Sequence, residues 1–158
     1  EIFSKLRYMI VGCECDWVVV DHLHMLVNQL TESDERRGID TLMNRLRSLV
    51  EETGVGMFLV SHLRRAAGDR GHEQGIEVSL SHLKGSQGIS QLSDCVIALE
   101  RNQQAEDETE SNTTKVRVLK SRYTGDTGLA CSLKYNSDTG RLYEVSNQET
   151  FDNEDDSF

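Results

Sequence analysis

Short unbroken apolar runs alternate along the chain with longer stretches in which apolar residues recur every three or four positions. Trp17–Val20, Met57–Val60 and Cys95–Leu99 are runs of the first kind. Their length and β-branched or aromatic content predict strands covered on both faces. Between the first two, Ile39, Leu42, Met43, Leu46, Leu49 and Val50 form a stripe of 3.6-residue period, with Arg36, Arg37, Arg45 and Arg47 on the other faces. Thr31 or Ser33 can cap the start of this helix, acids follow where the helix dipole favours them, and Gly54 ends it. Strand, helix, strand at this spacing predicts a βαβ unit with parallel strands. Asp21 and His62, each just past a strand, then fall on one sheet edge. Upstream, Ile2, Phe3, Leu6, Met9 and Ile10 predict a helix over Ile2–Val11 that stops at Gly12.

The pattern changes after His62. Residues 64–75 hold three glycines and three arginines without apolar periodicity, a long loop at the predicted ligand edge or a plain solvated connection. Residues 81–94 read as a second glycine-containing loop entering a short helix. Val116–Tyr123, Leu129–Tyr135 and Arg141–Glu144, separated by glycine-containing turns, predict an antiparallel meander at the sheet's edge. Lys120 and Arg122 share one face of its first strand, as solvated edge charges or as a functional pair. From Ser146 onward the chain is polar and acidic and predicts a disordered tail, with Phe158 as an aromatic tip.

Charge refines this division. The net charge of −10 in 158 residues is unevenly spread. Glu106, Asp107, Glu108 and Glu110 form one acidic cluster; Glu144, Glu149, Asp152, Glu154, Asp155 and Asp156 form another. Without those ten, the remaining 17 acids balance the 17 bases. A local basic loop can therefore still grip a polyanion. Cys13, Cys15, Cys95 and Cys131 match no zinc spacing, and Cys95 and Cys131 read as small buried apolar residues of a reduced protein. No apolar run approaches the roughly 20 residues of a membrane span.

Candidate chemistry gathers where the strands end. An acid after a buried parallel strand sits where open α/β sheets bind ligands, and such an acid can hold Mg²⁺ against phosphates; it can equally be a plain strand end. Asp21, His22, His24 and His62 also admit a metal-dependent hydrolase, although alternation along a strand would point Asp21 and His22 to opposite faces. No Gly-x-x-x-x-Gly-Lys-Ser/Thr phosphate loop occurs in the chain.

Taken together, Trp17–His22, Glu32–Arg36, Ser61–Leu63, Leu83–Ser86, Gln91–Asp94, Ala98–Gln104 and Arg122–Gly128 resemble one family. It is that of the hexameric replicative helicase motors of the DnaB-like class, above all the bifunctional primase–helicases of T-odd short-tailed phages. The resemblance covers nearly the whole chain. It implies a RecA-like α/β fold: a mostly parallel sheet flanked by helices, with an antiparallel C-terminal edge meander. Residues 1–145 would be the C-terminal portion of the motor domain and 146–158 the acidic tail. The implied activity is NTP-dependent 5′-to-3′ translocation on single-stranded DNA during phage replication in the host cytoplasm. The cofactors would be Mg²⁺ and an NTP, ATP or dTTP. The partners would be single-stranded DNA, a homohexameric or heptameric ring, and the replicative DNA polymerase.

Residue by residue, Asp21 looks like the Walker B carboxylate acting on Mg²⁺. His62 and Gln91 look like sensors of the γ-phosphate. Arg122 looks like an arginine finger reaching the neighbouring subunit, with Lys120 assisting; Arg101 and Tyr135 resemble a pair that sandwiches the base. Arg64, Arg65 and Arg70 fall in the DNA-holding loop, and Phe158 ends a tail like that which docks on polymerase. Arg64-Arg65 stand where the phage relatives carry lysine and then asparagine, and Ser90 where one carries arginine. The phosphate loop and catalytic glutamate lie upstream in this family, so this stretch alone is expected to be inactive. Two other classes share parts of the pattern: a strand-exchange or assembly ATPase of the same fold, without the Arg122–Gly128 motif, and a polymerase-docking module acting through the tail alone.

Overall fold

A computed structural model describes residues 1–28, 34–64, 71–85 and 87–145. The chain divides into two compact units, residues 1–64 with 81–93, and residues 65–80 with 94–158.

The first unit opens with helix α1 (Ile2–Arg7), which continues as one π-helical turn over Tyr8–Gly12, so the predicted helix ends where glycine was expected to end it. Strand β1 (Trp17–Val20) and strand β2 (Gly56–Leu59) pair in parallel, Val20 opposite Leu59. Helix α3 (Glu35–Thr53) connects them, preceded by a short helix α2 (Leu23–Asn28) that the apolar pattern did not predict. Thr31 and Ser33 lie outside the described residues. The N-cap of α3 is Asp34, whose carboxylate accepts from the amides of Arg36 and Arg37 at 3.1 and 3.2 Å. Gly54 closes the helix in the left-handed region at φ 72°. Leu23, Val27, Ile39, Leu42 and Leu49 are fully buried and form the centre of this unit's core, which the short helix α4 (Gly88–Leu92) joins through Ile89.

The expectation that β1 is covered on both faces is not met. Val18 and Val20 are buried, whereas Trp17 and Val19 are 66% and 67% exposed. Phe58 is also exposed and stacks on Trp17 at 5.5 Å between ring centroids. The cause is that α3 and its neighbours bury one face of the pair, and the alternation of a pleated strand sends every second side chain away from them. Gly56 is required beneath this stack, because a Cβ there would come within 2.2 Å of the Trp17 ring.

The second unit is a four-stranded antiparallel sheet in the order β3 (Cys95–Arg101), β4 (Thr113–Ser121), β5 (Gly128–Asn136), β6 (Arg141–Val145). The predicted meander is therefore present, and β3 begins it. β3 alternates as well: Ala98 and Glu100 are buried, Ile97 and Leu99 exposed. Cys95, expected inside, is exposed, and Cys131 half-buried. The acidic segment before β4 forms one helical turn, α5 (Glu108–Ser111), capped by Asp107 through the Glu110 amide. Parallel pair, antiparallel meander and flanking helices together make the mixed α/β architecture expected. Among the described residues, no helix is long and apolar enough to cross a membrane.

Candidate functional site

Parallel pairing carries β1 and β2 to the same edge, and the chain leaves both strands there. The Val60 amide donates to the Val20 carbonyl at 2.9 Å and the Leu23 amide to the Val60 carbonyl at 3.0 Å, locking the two exits side by side. Asp21 follows β1 directly and is exposed, with no ion pair or hydrogen bond from its side chain among the described residues. An exposed, unengaged carboxylate suits a hard cation that keeps most of its ligands as water and phosphate oxygen, as Mg²⁺ does. His62 lies exposed at the matching exit of β2. Topology thus brings together the two residues that the sequence reading placed on one rim.

The same edge gathers His22, His24 and His62, without Asp21. β1 ends at Val20, so Asp21 and His22 lie beyond the strand and the alternation rule does not apply to them. The rings of His22 and His62 are 4.0 Å apart, His24 and His62 5.6 Å, and His22 and His24 6.0 Å, between centroids. His24 is 4% exposed, and its Nε2 lies 3.1 Å from the Lys84 carbonyl. A carbonyl only accepts, so that nitrogen carries the proton. Burial pushes the His24 imidazole below its ordinary value of 6.5, against the opposing hydrogen bond to Lys84.

The segment that supplies Lys84 is tied to this edge by the antiparallel bridge Leu63–Leu83, by the Lys84 amide on the His62 carbonyl (3.0 Å) and by the Arg64 amide on the His82 carbonyl (2.7 Å). Gly85, at φ 107°, lets it close on the core; a Cβ there would lie 2.1 Å from Cδ1 of Ile39. Arg64 was expected in a loop facing DNA. Its Nε donates to the Leu83 carbonyl at 3.1 Å, and the backbone bridge holds it against that segment. Arg65 and Arg70 lie outside the described residues, as does Phe158. Gln91 is exposed on α4.

In the second unit, Arg122 sits one residue beyond β4. Its amide donates to the Asp94 carbonyl at 2.8 Å, and its guanidinium meets the Asp94 carboxylate at 3.0 Å with 44% of the side chain exposed. Lys120, opposite Val96, is half-buried; it lies within β4, whereas Arg122 has entered the turn. Arg101 donates to the Ser111 carbonyl and the Asn112 side chain, while the Tyr135 amide donates to the Asn112 carbonyl at 3.2 Å. Asn112 therefore ties both members of the expected base-binding pair to one point. Arg101 also lines a cleft of about 580 Å³ with Glu100, Arg117 and Lys134. Beneath it, Glu100 is 7% exposed and accepts from the Val78 amide and from Arg117 Nε, both at 2.8 Å.

Residues 1–144 match the family model of the DnaB-like helicase C terminal domain. The chain is 44% identical over 142 residues to the DNA helicase/primase of Enterobacteria phage T3, covering 90% of this chain and 25% of that protein. It thus spans about a quarter of the length of that curated relative. Among solved structures, a DnaB-like replicative helicase, described with its interactions with primase, superposes with a TM-score of 0.72 at 23% identity, over 92% of this chain and 35% of that one. A KaiC-like protein from the archaeon Pyrococcus horikoshii superposes at 0.59 and 15% identity, over 92% and 57% of the respective chains.

Proposed function

The chain belongs to the DnaB-like helicase C-terminal domain family, and we propose that it is part of the motor of an NTP-driven replicative DNA helicase that moves 5′ to 3′ along single-stranded DNA. The observation that carries this reading is the shared edge of β1 and β2, which sets Asp21 beside His62. Asp21 is the carboxylate for Mg²⁺, which bound with nucleotide supplies charge neutralisation at the phosphate oxygens. Lys84 and Leu83 connect His62 by backbone hydrogen bonds to the start of the 64–75 segment, so a change at one is felt at the other. His62 and Gln91 donate to the terminal phosphate; Arg64, Arg65 and Arg70 hold the DNA backbone without reading sequence.

Arg122, assisted by Lys120, acts on the nucleotide of the adjoining subunit in a ring. Its half-exposed pair with Asp94 is of the kind that contributes about 0–1 kcal/mol, so a phosphate can displace that partner. Arg101 and Tyr135 hold the base. Residues 1–145 serve the motor, and the 146–158 tail with Phe158 docks on a replicative polymerase.

Strand separation on a 5′-tailed duplex by the full-length protein tests the proposal. Asp21→Asn is expected to lower nucleotide hydrolysis by about 100-fold or more, since the lost metal ligand acts directly on transferred charge. His62→Ala should retain basal hydrolysis but lose its stimulation by single-stranded DNA. Undiminished hydrolysis in Asp21→Asn, or hydrolysis without strand separation in the wild type, overturns it.

A further inference from the structure

The three histidines at the β1/β2 edge have an arrangement that phosphate sensing does not require. One nitrogen each of His22, His24 and His62 lies within 4.8 Å of the other two. Of the three, phosphate reading uses only His62 and leaves His22 and His24 unexplained. Both carry a buried Nδ1 with no hydrogen-bond partner. In His24 the proton on Nε2 is committed to the Lys84 carbonyl, so Nδ1 is the nitrogen with a free lone pair. A backbone carbonyl that fixes the tautomer is the usual companion of a metal-bound imidazole.

We propose that His22, His24 and His62 bind one divalent transition-metal ion of the Zn²⁺ or Co²⁺ class, at a site separate from the Mg²⁺ carboxylate Asp21. Three neutral nitrogen donors suit such ions, whereas Mg²⁺ takes oxygen. A tetrahedral ion about 2.1 Å from each nitrogen would hold the nitrogens about 3.4 Å apart, with water in the fourth position. Small ring rotations of the less buried His22 and His62 close the difference, and the exposure of His62 provides entry. Among the described residues, the cluster contains no carboxylate.

An ion held there withdraws His62 from any phosphate, so Zn²⁺ suppresses the stimulation of hydrolysis by single-stranded DNA. This consequence rests on the reading of His62 as a phosphate sensor; the binding site itself does not.

Co²⁺ is the probe, titrated into the full-length protein and followed by the visible bands of four-coordinate Co²⁺. The wild type is expected to take up one equivalent more than the His22→Ala/His24→Ala double variant. Zn²⁺ should displace that equivalent and excess Mg²⁺ should not. His22→Ala alone, whose ring is only half-buried, should weaken binding at least tenfold and guards against misfolding of the His24 variant. Equal uptake by wild type and double variant overturns the site, and so does a sulfur-to-metal charge-transfer band abolished by Cys13→Ser/Cys15→Ser. Uptake that depends on the histidines, without Zn²⁺ inhibition of the DNA-stimulated hydrolysis, upholds the site and removes only the sensing role of His62.

Discussion

Glu100 shows how much one buried side chain can organise. It joins the Val78 amide and Arg117 inside the second unit, and Arg117 reaches outward to the exposed Glu77 at 3.3 Å. The hydrogen bond that Arg117 donates to Glu100 raises its already high proton affinity, so this guanidinium stays charged. Glu100→Ala leaves the Val78 amide without its acceptor and Arg117, 18% exposed, with only the exposed Glu77, and is expected to destabilise by about 1–3 kcal/mol. Glu100→Ala combined with Arg117→Met removes both charges and should cost clearly less than the sum of the single changes. Urea unfolding of the four proteins measures the coupling; strict additivity would mean the pair acts as two independent groups. At this scale the sequence is a partial guide. The shared edge of Asp21 and His62 was legible because each lies just past an apolar run. The histidines were legible as candidate ligands together with Asp21; the structure gathers the three rings and leaves Asp21 out of the cluster. Nothing in the spacing of Glu100, Arg117 and Val78 announces that they meet, since their contact depends on strand register.

Elements were more legible than residues, and the helix α3 illustrates why. Its apolar stripe has only one physical solution, burial of that stripe, and its end is written in Gly54. Its start was less certain because several capping residues stand in a row; the Asp34 carboxylate takes the role by accepting two amides. Asp34→Ala is expected to cost about 1 kcal/mol, near 3 °C in Tm for a domain of this size, with Asp34→Asn close to neutral. Gly54→Ala meets no atom within 4 Å, so its cost, again about 1 kcal/mol, comes from the left-handed backbone alone. A thermal melt that leaves Asp34→Ala unshifted would show that the cap contributes nothing in this setting. The strands were found but their surroundings were not. An apolar run records that a surface avoids water, not which chain covers it. Trp17, Val19 and Phe58, and separately Ile97 and Leu99, are apolar faces open to solvent within their own units.

At the scale of the assembled molecule, the proposed motor makes a demand that no single subunit can meet. If Asp21 serves the nucleotide of its own subunit and Arg122 serves that of a neighbour, each pocket is built across a heterologous, ring-closing contact. Loss of Arg122 should then reduce hydrolysis on the order of 10³- to 10⁵-fold, as for other arginine fingers. The two defects should also complement. An Asp21→Ala subunit still lends its arginine, and an Arg122→Ala subunit still offers its carboxylate. In rings assembled from equal amounts of the two full-length variants, roughly one interface in four pairs an intact Asp21 with an intact Arg122. Hydrolysis should therefore recover to a measurable fraction of wild type when two separately inactive preparations are mixed and allowed to exchange subunits. Were both residues to act within one chain, every pocket in the mixture would lack one of them and no activity would return. The local pairing of Arg122 with Asp94 is compatible only with the first arrangement if phosphate from outside can displace it. Weakening that pairing by Asp94→Asn should then leave hydrolysis intact, whereas a finger that needed Asp94 for its placement would lose rate with it.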